Sequence, residues 1–286
     1  MTNMLCGRWL AALAVVACIA PLASTSTHSS ASKKRYFMEK VTFNNDGNTL
    51  VGYLFRPPGP GKFPAVVWNH GSEQDPSPDN QFQGVADIFV PEGYVVFCPV
   101  RRGQGKSQGK YIVDVCQKEK QQHGAQASAK LMVQLMAGQQ LDDQLAGLSW
   151  LKNRDFVDKS RIAVIGCSYG GIETLFGAES HAGYKVAVAL CPGAESWTGN
   201  QFLRDRLVKA ADNIHIPVFL IHPEHDANTA PGYRLGQEFQ SLNKPYSLKI
   251  FPPIGSTAEQ GHCFGGGPGM HIWGPDAVAF IKHYMP

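Results

Sequence analysis

The hexapeptide Gly166-Cys167-Ser168-Tyr169-Gly170-Gly171 follows an apolar run, Arg161-Ile162-Ala163-Val164-Ile165, and precedes the helix-forming Ile172-Glu173-Thr174-Leu175-Phe176. A strand, a sharp turn and a helix in that order, with G-x-S-x-G in the turn, lift a serine hydroxyl off the end of a sheet. Such a turn strains the serine backbone and needs glycine on both sides, where a Cβ would strike the neighbouring strand or helix. The helix leaving the turn offers unpaired N–H groups that can face a developing oxyanion. A glycine-rich turn without chemistry is the alternative. The strand before, the helix after and the extra Gly171 favour Ser168 as a nucleophile.

Apolar periodicity places the other elements around this unit. Phe37 to Phe43 and Leu50 to Phe55 read as strands joined through Asn44-Asn45-Asp46-Gly47-Asn48, a hairpin turn. Ala65-Val66-Val67-Trp68 is a continuous apolar run suited to a buried parallel strand. A helix over Gln81 to Phe89 and a strand over Tyr94 to Cys98 follow. The Gln-, Lys- and Ala-rich segment 111–144 reads as one or two inserted helices, with Leu131, Val133, Leu135 and Met136 packing on the domain. The helix after it ends at Trp150-Leu151. Strands are predicted over Ile162–Ile165, Val186–Leu190, Val218–Ile221 and Tyr246–Phe251, then a closing helix with Val278, Phe280 and Ile281 inward. Strands alternating with helices after residue 65 imply a mostly parallel central sheet with helices on both faces: an α/β domain over 37–286 with a small helical insertion. No internal repeat or second-domain linker is visible.

Residues 1–25 read differently. Arg8 precedes the apolar stretch Trp9 to Ala20, and small and hydroxyl residues follow. That is the pattern of a secretory signal, and its apolar core is short for a membrane span. Val15-Val16-Ala17-Cys18 also resembles a lipoprotein box, which would make Cys18 a lipid anchor. A secreted or periplasmic location is the expectation, with residues 26–36 a polar, disordered linker. Five cysteines remain (Cys98, Cys116, Cys167, Cys191 and Cys263), an odd number better suited to small buried thiols than to a disulfide scaffold. The net charge of +3, with no basic cluster longer than Lys33-Lys34-Arg35, does not point to nucleic acid or an anionic membrane.

A serine hydroxyl is a weak nucleophile at neutral pH and needs a base, and the base needs an acid to orient it. Asp226, at the end of Val218-Phe219-Leu220-Ile221-His222-Pro223-Glu224-His225-Asp226, is the expected acid, with Glu224 the fallback. His262, after Gly261 on the loop following the last strand, is the expected base. His271 competes from the same loop, and His283 in the terminal helix reads as surface. Two oxyanion donors are expected: the amide of Tyr169 and that of Ser72 in His70-Gly71-Ser72, with Glu73 next in line. Two further patterns are set aside. Gly105-Lys106-Ser107 lacks the leading glycine of a phosphate loop, because position 100 is Val100. His222, Glu224, His225 and Asp226 cluster like metal ligands but match no dedicated motif, so no metal is expected.

Together His70-Gly71-Ser72, Arg102-Gly103-Gln104-Gly105-Lys106-Ser107, the Ser168 turn, Asp226 and Gly261-His262 resemble the α/β-hydrolase superfamily, most of all its dienelactone hydrolase and prolyl-oligopeptidase-related branch. The likeness covers nearly all of 37–286. That branch usually carries an Asp two residues before the Arg, a place taken here by Val100. Dienelactone hydrolases carry a nucleophilic cysteine where this chain has Ser168, and Cys167 stands one residue early, so serine chemistry is expected. The resemblance implies no cofactor and an acyl-enzyme reaction of Ser168, His262 and Asp226 on a small-molecule ester. A short-peptide exopeptidase or amidase, or an inactive hydrolase-fold binding protein, is the alternative. Trp197 and Phe264 are expected to line the substrate pocket.

Overall fold

The computed structural model describes residues 36–286. The expected signal sequence, Cys18 and nearly all of the linker lie outside the described residues. Eight strands form one sheet in the order β1-β2-β4-β3-β5-β6-β7-β8. They are β1 (Phe37–Asn45), β2 (Asn48–Arg56), β3 (Phe63–Asn69), β4 (Val95–Pro99), β5 (Val157–Cys167), β6 (Val186–Leu190), β7 (Val218–Pro223) and β8 (Tyr246–Phe251). β1 and β2 pair antiparallel across Asn45 and Asn48, with Asp46 and Gly47 both at positive φ in the turn. β2 meets β4 antiparallel, and every later pairing is parallel. The anticipated hairpin followed by a parallel sheet is present.

The central strands are apolar on both faces because helices cover both. Val67, Ile162 and Val164 face one core, under α3 (Leu141–Lys152), α4 (Tyr169–Glu179), α5 (Gln201–Asn213) and α6 (Ala230–Ser241). Their alternates Val66, Trp68 and Ile165 face the other, under α1 (Gln83–Phe89) and α8 (Met270–Tyr284). That split is the two-residue period of a strand read out in packing. Trp68 stacks on Trp273 of α8 with ring centroids 6.0 Å apart. Cys98, Cys116, Cys167 and Cys191 are buried free thiols. No helix among the described residues is long and apolar enough to cross a membrane.

The segment predicted as an insertion forms α2 (Ile112–Leu135), which is not one straight rod. Gly124 has φ 89° and ψ 174°, outside helical space. The Ser128 hydroxyl donates to the Cys116 carbonyl at 2.7 Å. Twelve residues of straight helix would separate those positions by about 18 Å. The chain therefore folds back at Gly124 into a helical hairpin. Asn200, which caps α5 through the Leu203 amide, also donates to the Ala129 carbonyl at 3.2 Å and ties the hairpin to the domain.

Candidate active site

At the end of β5 the chain reverses into α4 through Ser168, whose φ of 59° and ψ of −119° lie outside the regions open to most side chains. Strain of this kind costs on the order of 1–3 kcal/mol and persists only where the surroundings impose it. Here they do. A Cβ on Gly170 would overlap the Asn69 carbonyl, so only glycine lets α4 sit this close to the end of β3. The turn leaves Ser168 partly exposed above the sheet while Cys167 and Tyr169 on either side are buried.

Asp226 and His262 reach Ser168 from the ends of β7 and β8. His262 was expected on a loop; it is the last residue of a single helical turn, α7 (Ala258–His262). Gly261 allows that turn to press on the His225 carbonyl, which a Cβ would strike. The Ser168 hydroxyl donates to His262 Nε2 at 2.7 Å, and His262 Nδ1–H donates to Asp226 Oδ1 at 2.7 Å. The Ala227 amide also donates to Oδ1, at 2.7 Å. Oδ2 accepts from His222 Nδ1–H at 2.6 Å. Burial alone would push the Asp226 carboxyl up, but the bonds from His222 and His262 hold it well below the carboxylate range, so it stays ionised. Burial likewise opposes charge on His262. The Asp226 hydrogen bond, with the Asp226 and Glu195 charges, more than offsets this and raises its pKa above the ordinary imidazole value. The arrangement can accept a proton from Ser168 and stabilise the resulting imidazolium.

The alternatives fall away on geometry. Glu224 and His271 are exposed, and His225 turns its Nδ1 to the Gly255 carbonyl at 3.3 Å. His222 and Asp226 are buried while Glu224 and His225 face outward, so those four share no site. Among the described residues, the one grouping spaced for a metal is Cys191, Asp226 and His262, whose ligand atoms lie within 4.8 Å of one another. Its Asp and His are already bonded to each other.

Two cavities meet at Ser168. One, about 240 Å³, is walled by Ile112, Cys116, Met132, Met136, Ile172 and Ala194, so the helical hairpin closes one side of it. The other, about 530 Å³, runs past Glu73, Glu195, Glu259 and His262. Ser72 borders both. The Tyr169 amide opens α4 and has no partner within that helix. Trp197 and Phe264 are corrections: neither lines either cavity. Trp197 packs into the core beside α5, and Phe264 is buried against Phe251 with its carbonyl accepting from Trp273 Nε1 at 3.2 Å. Both adjoin site residues in the chain, but their side chains point into the domain. His222 carries the reverse lesson. Sequence grouped it with metal-like neighbours, and the signal that could have separated it is its place on the buried strand β7, four residues before Asp226.

Comparison with known proteins agrees with this fold. The profile of the X-Pro dipeptidyl-peptidase (S15) family matches residues 46–216. Dipeptidyl peptidase 8 of Homo sapiens is 31% identical over 157 residues, covering 51% of this chain and 15% of that enzyme. Acylaminoacyl peptidase from Pyrococcus horikoshii superposes with a TM-score of 0.66 at 17% identity, over 89% of this chain and 42% of that one. The ferulic acid-bound Est1E from Butyrivibrio proteoclasticus gives 0.64 at 19% identity, over 85% and 98%. The chain thus spans less than half the length of the two peptidases and nearly all of the esterase. The relatives it matches are peptidases and esterases of the α/β-hydrolase type. With the S15 profile spanning 46–216 of its 286 residues, the chain belongs to the S15 peptidase family within the α/β-hydrolase superfamily.

Proposed function

We propose that this protein hydrolyses carboxylic esters of small molecules through an acyl-enzyme on Ser168. The reading rests on the unbroken path from Ser168 Oγ through His262 to Asp226, with both links at 2.7 Å. Ser168 Oγ attacks the ester carbonyl carbon as its proton passes to His262 Nε2. The carbonyl oxygen becomes an oxyanion facing the amides of Tyr169 and Ser72. Collapse breaks the bond to the leaving alcohol, which takes the proton back from Nε2. Water then adds to the acyl carbon with His262 again as base, and the carboxylic acid leaves as Ser168 regains its proton. Each oxyanion donor in such a site is worth about 3 kcal/mol of barrier. The apolar cavity beside Ser168 supports an apolar acyl group as the part bound there. The signal-like residues 1–25 support export as the setting.

Short peptides are the second reading. The S15 match favours it, as does Glu195, an exposed carboxylate 3.7 Å from His262 Nε2 that suits a substrate ammonium. A fluorophosphonate probe followed by peptide mass spectrometry should mark Ser168, and Ser168→Ala should lose both label and turnover of p-nitrophenyl butyrate. Loss of Ser168 or His262 should lower kcat by on the order of 10⁴ or more. Faster Ser168-dependent turnover of dipeptidyl p-nitroanilides than of the ester would favour peptides. Unchanged turnover in Ser168→Ala would overturn both readings.

A further inference from the structure

Five consecutive carbonyls after β3, those of residues 70–74, are each held by the segment Arg101–Tyr111. Arg101 Nη2 donates to the His70 carbonyl at 2.8 Å and also to the Gly71 carbonyl. The Tyr111 hydroxyl donates to the Ser72 carbonyl at 2.7 Å, Gln104 Nε2 to the Glu73 carbonyl at 2.6 Å, and the Gly105 amide to the Gln74 carbonyl at 2.8 Å. None of these bonds uses the Ser72 amide. The holding segment is itself fixed. Arg102 pairs with Asp143 of α3 through Nη2 at 2.7 Å and Nε at 2.9 Å, with both side chains nearly fully buried.

Arg101 is 3% exposed, and among the described residues no carboxylate contacts it and its Nε and Nη1 have no hydrogen-bond partner, so the carbonyls at Nη2 are its main compensation for an expensive burial. Its backbone N–H donates to His70 Nε2 at 3.2 Å. A neutral ring accepting there carries its proton on Nδ1, which lies 3.0 Å from both the Gly71 carbonyl and Arg101 Nη2; because Nη2 already gives its two hydrogens to carbonyls, the Nδ1 proton goes to Gly71. Burial and the Arg101 charge keep His70 well below the ordinary imidazole pKa, consistent with that neutral tautomer. The Gly71 carbonyl thus receives Arg101 and the His70 ring together. The Arg101 guanidinium also lies 4.4 Å over the ring of Tyr169, the residue carrying the other donor.

A trans peptide is planar, with its C=O and N–H pointing to opposite sides. The Gly71 carbonyl and the Ser72 amide are the two ends of one such unit. We infer that Arg101 is the positioning residue of the oxyanion site: by fixing the Gly71 carbonyl and packing on Tyr169, it sets the Ser72 and Tyr169 amides relative to each other. Its charge at the carbonyl end also polarises the Ser72 N–H towards a better donor. The inference rests on the serine-hydrolase mechanism proposed above and names the residue that shapes its charge-stabilising part.

A donor displaced by about 1 Å costs on the order of 100-fold in rate. Arg101→Met should therefore lower kcat for p-nitrophenyl butyrate about 100-fold per Ser168 titrated with fluorophosphonate, with KM within about twofold. Arg101→Lys, which keeps charge at the Gly71 carbonyl, should recover part of the loss. Phenylboronic acid, whose serine adduct places an oxygen in the oxyanion site, should bind more weakly in step with kcat, while butyrate binding stays unchanged. A purely structural role would lower the titratable fraction and leave those ratios alone. Should Arg101→Met not fold, Arg101→Gln decides: an uncharged donor at the Gly71 carbonyl should cost kcat about tenfold with the same loss of boronate affinity. Wild-type kcat and boronate affinity per titrated site, in whichever variant folds, would overturn the inference and leave the Ser168 mechanism intact. Wild-type turnover in Ser168→Ala would overturn that mechanism and this inference with it.

Discussion

An aspartate that orients an imidazole has to stay ionised and keep one oxygen aimed at it. Asp226 meets both needs through His222, a side chain 0% exposed whose Nδ1–H fills the Oδ2 acceptor while His262 and the Ala227 amide share Oδ1. Removing that donor leaves a buried oxygen unpaired, at about 1–3 kcal/mol, which a turn of the carboxylate away from His262 would relieve. His222→Leu should lower kcat 10- to 100-fold per titrated Ser168 with KM little changed. His222→Asn, whose side-chain N–H can occupy the Nδ1 position, should restore most of it; equal loss in Leu and Asn variants would refute the role. The residue scale also marks where sequence stops being readable. Ser168 was legible because its requirements are local: strand, glycine turn and helix sit in the 16 contiguous residues 161–176. Asp226 and His262 were legible from their places after late strands. His222 was not, because which ring nitrogen meets which oxygen is decided by tertiary packing. Trp197 and Phe264 misled for the same reason, since adjacency in the chain does not fix where an indole or phenyl ring points.

At the scale of elements, the strand–helix order was legible from apolar periodicity, while the fold-back of α2 was not. Its 24 residues have scarcely any amphipathic period, and the reversal depends on the backbone freedom of Gly124 and a bond between residues twelve apart. α5 and α6 are further elements that only the structure delimits. The hairpin has a consequence for selectivity, since Ile112 and Cys116 from its first limb, Met132 from its second and Met136 just beyond it complete the apolar cavity beside Ser168. Methionine fills such walls adaptably, so the cavity should accept a range of chain lengths. Filling it should not. Met132→Trp is expected to lower the kcat/KM ratio of p-nitrophenyl octanoate to p-nitrophenyl acetate by about tenfold or more, in line with the 1–3 kcal/mol attached to a methylene excluded from a pocket. An unchanged ratio would place the acyl chain in the acidic cavity past Glu195 instead.

For the molecule as a whole, the sharpest electrostatic conflict lies beneath the site. Glu173, on α4 one turn after Tyr169, is 0% exposed and neither carboxyl oxygen has a partner among the described residues. Burial pushes its pKa up to about 8, with Asp143 adding to the shift and Arg101 and Arg206 opposing it. The native state therefore holds a proton that the unfolded chain releases near the ordinary glutamate value of about 4.3. With fewer protons bound when unfolded, stability must fall as pH rises between those two values, by at most about 1.4 kcal/mol per pH unit. Asp226 has the opposite sign: its depressed pKa makes a contribution that is present above about pH 4 and lost only below it, so it is constant through this window. His262, raised, contributes stability that fades above about pH 6.5, which overlaps the effect of Glu173 in the wild type. Comparing Glu173→Gln with the wild type subtracts that shared part. The variant should match the wild type in urea unfolding at pH 4.5 and exceed it increasingly up to pH 8, with the gap levelling above that. A gap that is the same at pH 5 and pH 8 would mean that Glu173 is ionised in the folded protein, and that the Arg101 and Arg206 charges outweigh its burial.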